Sequence, residues 1–440
     1  MKLLPALVFS FAATASAAPA FAWNEHAVYT PAAGSQSGVI AIALTEWMTA
    51  FYIVFEVQDT TTATHTLYLQ RWNGSTFWAA PVVLDSHVGQ WVYNPSIIAR
   101  TGHVTVSAHV RNGVCATIVT GLREYDYDTA TGVVDKTRTI DSAAACEEVG
   151  HSHIVYSPDD TTYHVCWTRK TGPLATGDEV LCATRTTTAA AWSAAVNLNG
   201  AGGAPNDQDH ATVAVKSGTN NTRRVAFHDQ TANVVTDDNE ARLLMDKPGG
   251  TTVEYRVPSA APLPQLGWQD RPFVALSLDN KVHVAWEGGL NGAETIKYER
   301  CLHDTPTGCS TAADWEFNNV AVSDPTATYA RYPHLRITAL RTWLSFEQLI
   351  GARREVMVAH RCLSAAYNAA WTLDDPWTGT DDEYTEEYGT PHIAARTVIT
   401  LDPQTLLVIA TVWVGTVSLR ENTTTGYYDA MLYEMIEPPC

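Results

Sequence analysis

One pattern returns at near-constant spacing along most of the chain, and it restricts the fold more than any other feature. A short extended segment opening on proline or a small polar residue begins at Ser37 (SGVIAIA), Pro95 (NPSIIA), Ser152 (HSHIVY), His210 (DHATVAV), Pro272 (RPFVAL), Pro333 (YPHLRI) and Pro391 (TPHIAA), with successive spacings of 58, 57, 58, 62, 61 and 58 residues. Each unit then continues with further segments of period two. In the stretch from Gly267 to Ser323 these are Pro272 to Leu276, Val282 to Trp286, Thr295 to Arg300 and Trp315 to Val322. Asp279-Asn280, Gly288-Gly289, Asn291-Gly292 and Thr307-Gly308 separate them as turn residues.

A four-stranded meander has two apolar faces, and neither can be left in water. Radial stacking of like sheets covers all of them, and closing the ring removes the exposed ends. The chain is therefore predicted to be all-β, a seven-bladed β-propeller of four-stranded antiparallel blades, with a six-bladed ring as the alternative. The last unit ends after YYDAMLYEM with only Glu437 to Cys440 remaining, so it lacks an outer strand. At the other end, WNEHAVYT (residues 23–30) precedes the first unit and is assigned to close the last blade. Residues 23–440 are then one domain.

The opening MKLLPALVFSFAATASAAPAFA has a lysine, an apolar run and small residues ending at Ala22, the pattern of a secretory signal over 1–22. No later segment approaches the apolar length that a membrane span needs, so the expectation is a secreted, extracellular or periplasmic protein, taken to be a monomer. The eight cysteines lack Cys-x-x-Cys spacing and fit disulfides better than metal. Pairings Cys166/Cys182, Cys301/Cys309, Cys362/Cys440 and, by remainder, Cys115/Cys146 are expected. A formal net charge of −19 argues against a nucleic-acid partner, which calls for a basic face.

In a propeller the first strand of each blade lies innermost. The loops leading into it share one face with the ends of the second strands, so binding residues should come from those two places. That rule selects Tyr93, Asn94, His151, His153, Asp207, Asp209, His210, Asp270, Arg271, Arg331, Tyr332, His334 and His392 before or at first strands. From second-strand ends it selects Glu56, His109, Arg111, Trp167, Arg169, Lys170, His228, Asp229, Trp286, Glu287 and Glu347. Trp167 and Trp286 end apolar strands and fit inter-blade packing. For Arg271 and Arg331, a carboxylate clamp competes with ion pairs to Asp270 or Glu299. No cofactor or metal is expected. The acidic loops at 236–240 and 380–389 offer carboxylates of the kind that hold Ca2+, but without the spacing of a dedicated calcium loop.

The units resemble the sialidase-like, BNR-type propellers. The likeness rests on the proline-led first strands, on the second strand ending in Ala285-Trp286 and on the third strand with Tyr298-Glu299-Arg300, while the family's S-x-D-x-G-x-x-W turns are reduced here to fragments such as Asn73-Gly74-Ser75-Thr76-Phe77-Trp78. It spans essentially the whole chain after residue 22. Gln36-Ser37-Gly38 stands where a sialidase has its first arginine, so the nearest enzymatic likeness is to propeller polysaccharide lyases acting on uronate-containing chains. That likeness implies an extracellular glycan partner, with Arg271 or Arg331 neutralising a uronate, His151 or His153 as base and Tyr332 as acid. Tyr93, Asn94, Asp209, His210, Asp270, His334, Arg169, Glu287 and His392 would then bind substrate. A sialidase-type hydrolase using two of Asp209, Asp270, Glu287 and Glu347 is one alternative. A non-catalytic glycan- or protein-binding surface module is the other.

Overall fold

A computed structural model describes residues 22–112, 120–142, 148–159, 161–170, 178–197, 207–216, 222–230, 239–246, 252–257, 268–290, 293–301, 309, 314–317, 322–366, 369–377, 379–384, 392–401 and 408–440. Residues 1–21 of the segment 1–22 expected to be a signal, Cys115 and Cys146 and most of the 236–240 loop lie outside these residues.

The described strands pair into seven antiparallel sheets that follow one another along the chain, numbered here as blades 1 to 7. Their innermost strands are Ser37–Trp47, Gln90–Arg100, Glu148–Tyr156, Asp207–Val215, Trp268–Leu276, Tyr329–Ile337 and Ile393–Leu401. Each contacts the innermost strand before and after it, and the seventh returns to the first, so the ring closes. One segment from every blade lines an axial cavity of about 230 Å3, from Leu44 in blade 1 to Ile393 in blade 7.

Blade 7 is built from both ends of the chain. Asn24–Tyr29 runs antiparallel to Tyr427–Ile436 and forms the outer strand of the sheet that contains Ile393–Leu401 and Val408–Asn422. The four residues beyond that sheet are fixed to blade 6. Thr338 Oγ1 and Trp343 Nε1 (2.9 Å) donate to Glu437, Arg341 Nε donates to Pro438 O at 3.0 Å, and a disulfide joins Cys362 to Cys440. Cys166–Cys182 and Cys301–Cys309 are also bonded, the first between directly opposed residues of blade 3.

Packing between blades follows the period-two pattern. Val54, Leu67 and Leu69 of blade 1 meet Ile97, Val104, Val106 and Tyr125 of blade 2, all essentially inaccessible. Each such aliphatic contributes roughly 1.5–3 kcal/mol of burial. Trp167 and Trp286 belong here too: Trp167 packs on Leu122 and Ile140 of blade 2, Trp286 beside Ala226 and Leu243 of blade 4. His164 and His283 are buried within their sheets, and His283 Nδ1 lies 2.6 Å from the Tyr298 hydroxyl.

Candidate functional site

A shared irregularity places the site. In blades 2 to 6 the innermost strand slips register against its neighbour by skipping two residues, between Tyr93/Ser96, Gly150/His153, Asp209/Thr212, Asp270/Phe273 and Arg331/His334. The first skipped residue is left-handed every time: Asn94 (φ 51°), His151 (34°), His210 (57°), Arg271 (47°) and Tyr332 (59°). For residues with a Cβ this conformation costs roughly 1–2 kcal/mol each, and a bulge re-aims the side chain that it carries. The second skipped residue is proline in three blades, Pro95, Pro272 and Pro333, where no N–H is left without a ladder partner. His210 is therefore equivalent to Arg271, and Ala211 to Pro272. The sequence alignment of His210 with Pro272 was one residue out, because period two cannot register an inserted residue.

The re-aimed side chains form a continuous row across adjacent blades. His109 of blade 2 is buried and held down at a pKa of about 3, first by that burial and then by the charge His151 would carry. The rings of His151 and His210 lie 4.2 Å apart. His210 Nδ1 is 3.6 Å from Asp270 Oδ1, the oxygen that accepts the Arg271 backbone N–H at 2.8 Å. Arg271 Nη1 reaches Glu287 Oε2 at 2.8 Å and Asp270 Oδ2 at 3.3 Å. Its guanidinium lies 4.7 Å over the Tyr332 ring, and the Tyr332 backbone N–H donates to Glu287 Oε1 at 2.6 Å. His210, Arg271 and Tyr332 line one cleft with Phe273 and His334.

The electrostatics are those of a cation enclosed by acids. Burial works against the Arg271 charge, but Glu287 and then Asp270 outweigh it and hold the guanidinium above its ordinary pKa. Burial raises the Glu287 carboxyl, with Arg271 opposing. Arg271 is thus engaged by two carboxylates and supports Tyr332 from one side.

Two residues further along each strand the side chains turn inward and serve packing. Ser96 Oγ accepts the Ile154 N–H of the next blade at 3.1 Å, His153 Nδ1 accepts that of Val213 at 2.9 Å, and Thr212 Oγ1 accepts that of Val274 at 3.2 Å. His153 is buried, which depresses its pKa to about 4. The Phe273 ring sits edge-on between His153 (5.1 Å) and His334 (5.3 Å), and His334 stacks on His392 at 4.3 Å. Burial lowers the pKa of both His334 and His392, the latter to about 3. Of these rings Phe273 and His334 line the cleft, and Phe273 and His153 line the axial cavity. His153 and His392 are therefore not among the residues that line the cleft with His210, Arg271 and Tyr332.

Other expected residues are dispersed. Arg331 pairs with Glu294 Oε1 at 3.1 Å and lies over the Tyr329 ring at 4.4 Å. Arg169 is directed toward Asp141 and the Ser142 carbonyl at the edge of blade 2. Tyr93, Lys170, Asp207, Asp209, His228 and Asp229 are strand residues whose side chains are outside the description. In the second acidic loop Glu383 turns inward, accepting hydrogen bonds from Ser418 Oγ (2.9 Å) and the Tyr433 hydroxyl. Among the described residues, no group of three or more His, Cys, Asp or Glu is placed to hold a metal ion.

Buried polar residues of the second strands face the bulges. The residue paired just before the slip is His109, Thr168, Glu287 or Glu347 in blades 2, 3, 5 and 6, and in blade 1 Glu56 is paired just after its slip; all five are buried. Sequence reasoning selected most of these but missed His65, which lies 2.7 Å from Glu56. Its signal was faint, a histidine at an alternation-compatible position of a third strand.

No family model and no curated protein matches the chain. Solved structures similar to it include the intramolecular trans-sialidase of Ruminococcus gnavus in complex with oseltamivir carboxylate. That match has 8% identity, covers 93% of this chain and 96% of that one, and has a TM-score of 0.43. An α-L-arabinanase of Penicillium chrysogenum complexed with arabinobiose has 9% identity, coverage of 76% and 97%, and a TM-score of 0.46. A polysaccharide lyase, Uly1, has 8% identity, coverage of 78% and 89%, and a TM-score of 0.39. These likenesses concern the propeller fold.

Proposed function

We propose that the protein is an exported propeller that binds an extracellular glycan at the bulge row and cleaves it by β-elimination next to a uronate. The observation that carries this reading is the convergence of His210, Arg271 and Tyr332 on one small cleft, with Asp270 3.6 Å from His210 and 3.3 Å from Arg271. Elimination needs three things: neutralisation of the carboxylate that acidifies the neighbouring C–H, a base for that proton, and an acid for the departing oxygen. His210, with Asp270 beside it, is the base of this scheme. Tyr332, with a guanidinium over its ring, protonates the leaving oxygen. As the C–H and C–O bonds break, a C=C bond forms at the new chain end, with no water or redox partner consumed.

The sequence offered His151 or His153 as base and Arg271 or Arg331 as the neutralising cation; in this scheme His210 takes the base role and Arg331 is chosen over Arg271. His153 is replaced as base by His210, because the His153 Nδ1 is engaged by the Val213 backbone N–H, whereas the His210 Nδ1 faces the Asp270 carboxylate at 3.6 Å. Arg331, half-buried and paired with a single carboxylate in the described contacts, suits a substrate carboxylate better than the doubly engaged Arg271. The three disulfides among the described residues fit an oxidising compartment.

The test is incubation with a panel of uronate-containing polysaccharides while following ultraviolet absorbance of unsaturated ends. The expected result is product with the parent protein and a loss of about 100-fold or more with Tyr332→Phe. Binding without any product across the panel would replace the lyase by a non-catalytic glycan-binding module. Unchanged turnover in Tyr332→Phe would remove the assigned acid.

A further inference from the structure

The same face carries an aromatic platform outside the bulge row. Trp91 stands three residues before Asn94 on the innermost strand of blade 2, roughly 10 Å along that strand. It is 52% exposed, whereas Trp167 and Trp343 are fully buried. Its indole is nevertheless held in place. The His65 ring of blade 1 stacks on it at 5.4 Å with an interplanar angle of 19°, and His65 Nδ1 is fixed 2.7 Å from Glu56 Oε1. Both members of that pair are buried, which raises the carboxyl's pKa and lowers the imidazole's. Arg111 is paired directly opposite Trp91 on the next strand. Directly opposed residues project from the same face of a sheet, with Cβ atoms roughly 4.5–5.5 Å apart.

A half-exposed indole with a rigid backing and an arginine beside it matches one ligand chemistry well. A sugar ring has an apolar C–H face that stacks on an aromatic plane, and a uronate adds a carboxylate at the rim of that ring. The chain's net charge of −19 disfavours a polyanionic glycan at long range, so an acidic sugar needs a local cation to be retained. We propose that Trp91 and Arg111 form a glycan subsite, in which the indole stacks one sugar ring and the guanidinium holds that ring's carboxylate, in line with the bulge row. The subsite rests on the reading of the row as a uronate-glycan site and gives it an extended specificity: an oligosaccharide long enough to span both is held better than a short one.

The experiment is calorimetric titration with a hexasaccharide of glucuronate and a neutral glucose hexasaccharide of equal length. Parent, Trp91→Ala, Trp91→Phe, Arg111→Gln and Tyr332→Phe proteins are compared, each checked for an unchanged melting temperature. Trp91→Ala is expected to weaken the acidic hexasaccharide about tenfold, and Trp91→Phe to restore most of that loss. Arg111→Gln is expected to weaken the acidic ligand while leaving the neutral one unchanged. Binding of the acidic hexasaccharide by Trp91→Ala or, should that variant not fold, by Arg111→Gln within twofold of the parent overturns the subsite. If Tyr332→Phe still abolishes turnover in that case, the bulge-row reading stands without it. A parent that binds neither hexasaccharide overturns both.

Discussion

His151 and His153 are two residues apart on one strand, yet one joins a row of side chains at the propeller mouth and the other fastens blade 3 to blade 4. The difference is backbone geometry. His151 is the left-handed residue of a bulge and stacks against His210; His153 follows the bulge, and its Nδ1 receives the Val213 N–H. The same contrast repeats between Arg271 and Phe273 and between Tyr332 and His334. Residue type alone does not separate a chemical role from a packing role here; position relative to the slip does.

The sharpest way to break this comparison is to remove one histidine from each tier. His210→Ala should lower turnover on a responsive uronate glycan by roughly 10²–10⁴-fold, the usual contribution of a general base, with a small change in melting temperature. Equal turnover in that variant would mean that the row is packing too. Next in size is Glu287→Gln, which leaves Arg271 without one of its two carboxylates and weakens the acceptor of the Tyr332 N–H. Breaking a buried pair of this kind costs roughly 3–5 kcal/mol, read as a shift of the denaturation midpoint. A loss below ~1 kcal/mol would show that Asp270 alone holds the cation.

The packing tier is tested by stability and by pH. His153→Ala removes the acceptor of a buried N–H and should cost about 1–3 kcal/mol before any cavity is counted. Its titration gives a second readout. The folded pKa of about 4 lies below the ordinary value near 6.5, so the unfolded chain binds the proton first as pH falls. Stability is therefore lost between about pH 6.5 and 4, and the variant should lose part of that acid slope. Glu299 acts in the opposite sense. Burial raises its carboxyl to about 8, so the folded state keeps a proton that the unfolded state releases, and stability falls as pH rises from about 4.5 toward 8. Glu299→Gln should flatten that alkaline limb and leave the acid one alone.

Most of the architecture was legible because a period of about 60 residues and alternation within each unit both follow from stacking two-faced sheets. Even the outer position of residues 24–29 could be argued from a missing strand at the other end of the chain. The site was legible by location and obscured in register. His151, His210, Arg271 and Tyr332 were all selected, but His153 was ranked beside His151, and His210 was aligned one residue early. A bulge inserts a residue without leaving a compositional mark; the prolines that follow in Asn94-Pro95, Arg271-Pro272 and Tyr332-Pro333 reveal it only once the slip is known. Trp91 was passed over because an exposed tryptophan and a buried one look alike in a strand of alternating residues.

The smallest effect is the most discriminating. If the left-handed backbone at the bulges is kept for what the side chains do, then replacing His151 with glycine should relieve strain. Glycine adopts that conformation at no steric cost, while a residue with a Cβ is disfavoured by roughly 1–2 kcal/mol. Part of this gain is offset by glycine's greater freedom in the unfolded chain, about 0.5–1 kcal/mol, and part by the lost stack on His210. The net change expected for His151→Gly is within about 1 kcal/mol of the parent, even though a buried ring is deleted. Large-to-small substitutions in cores usually cost 2–5 kcal/mol. His153→Gly, at an ordinary strand position two residues away, has no strain to relieve and should fall in that range. A loss in His151→Gly as large as in His153→Gly would mean that the His151 ring is as structural as its neighbour, and the distinction between the two tiers would fail at the blade where it is drawn most closely.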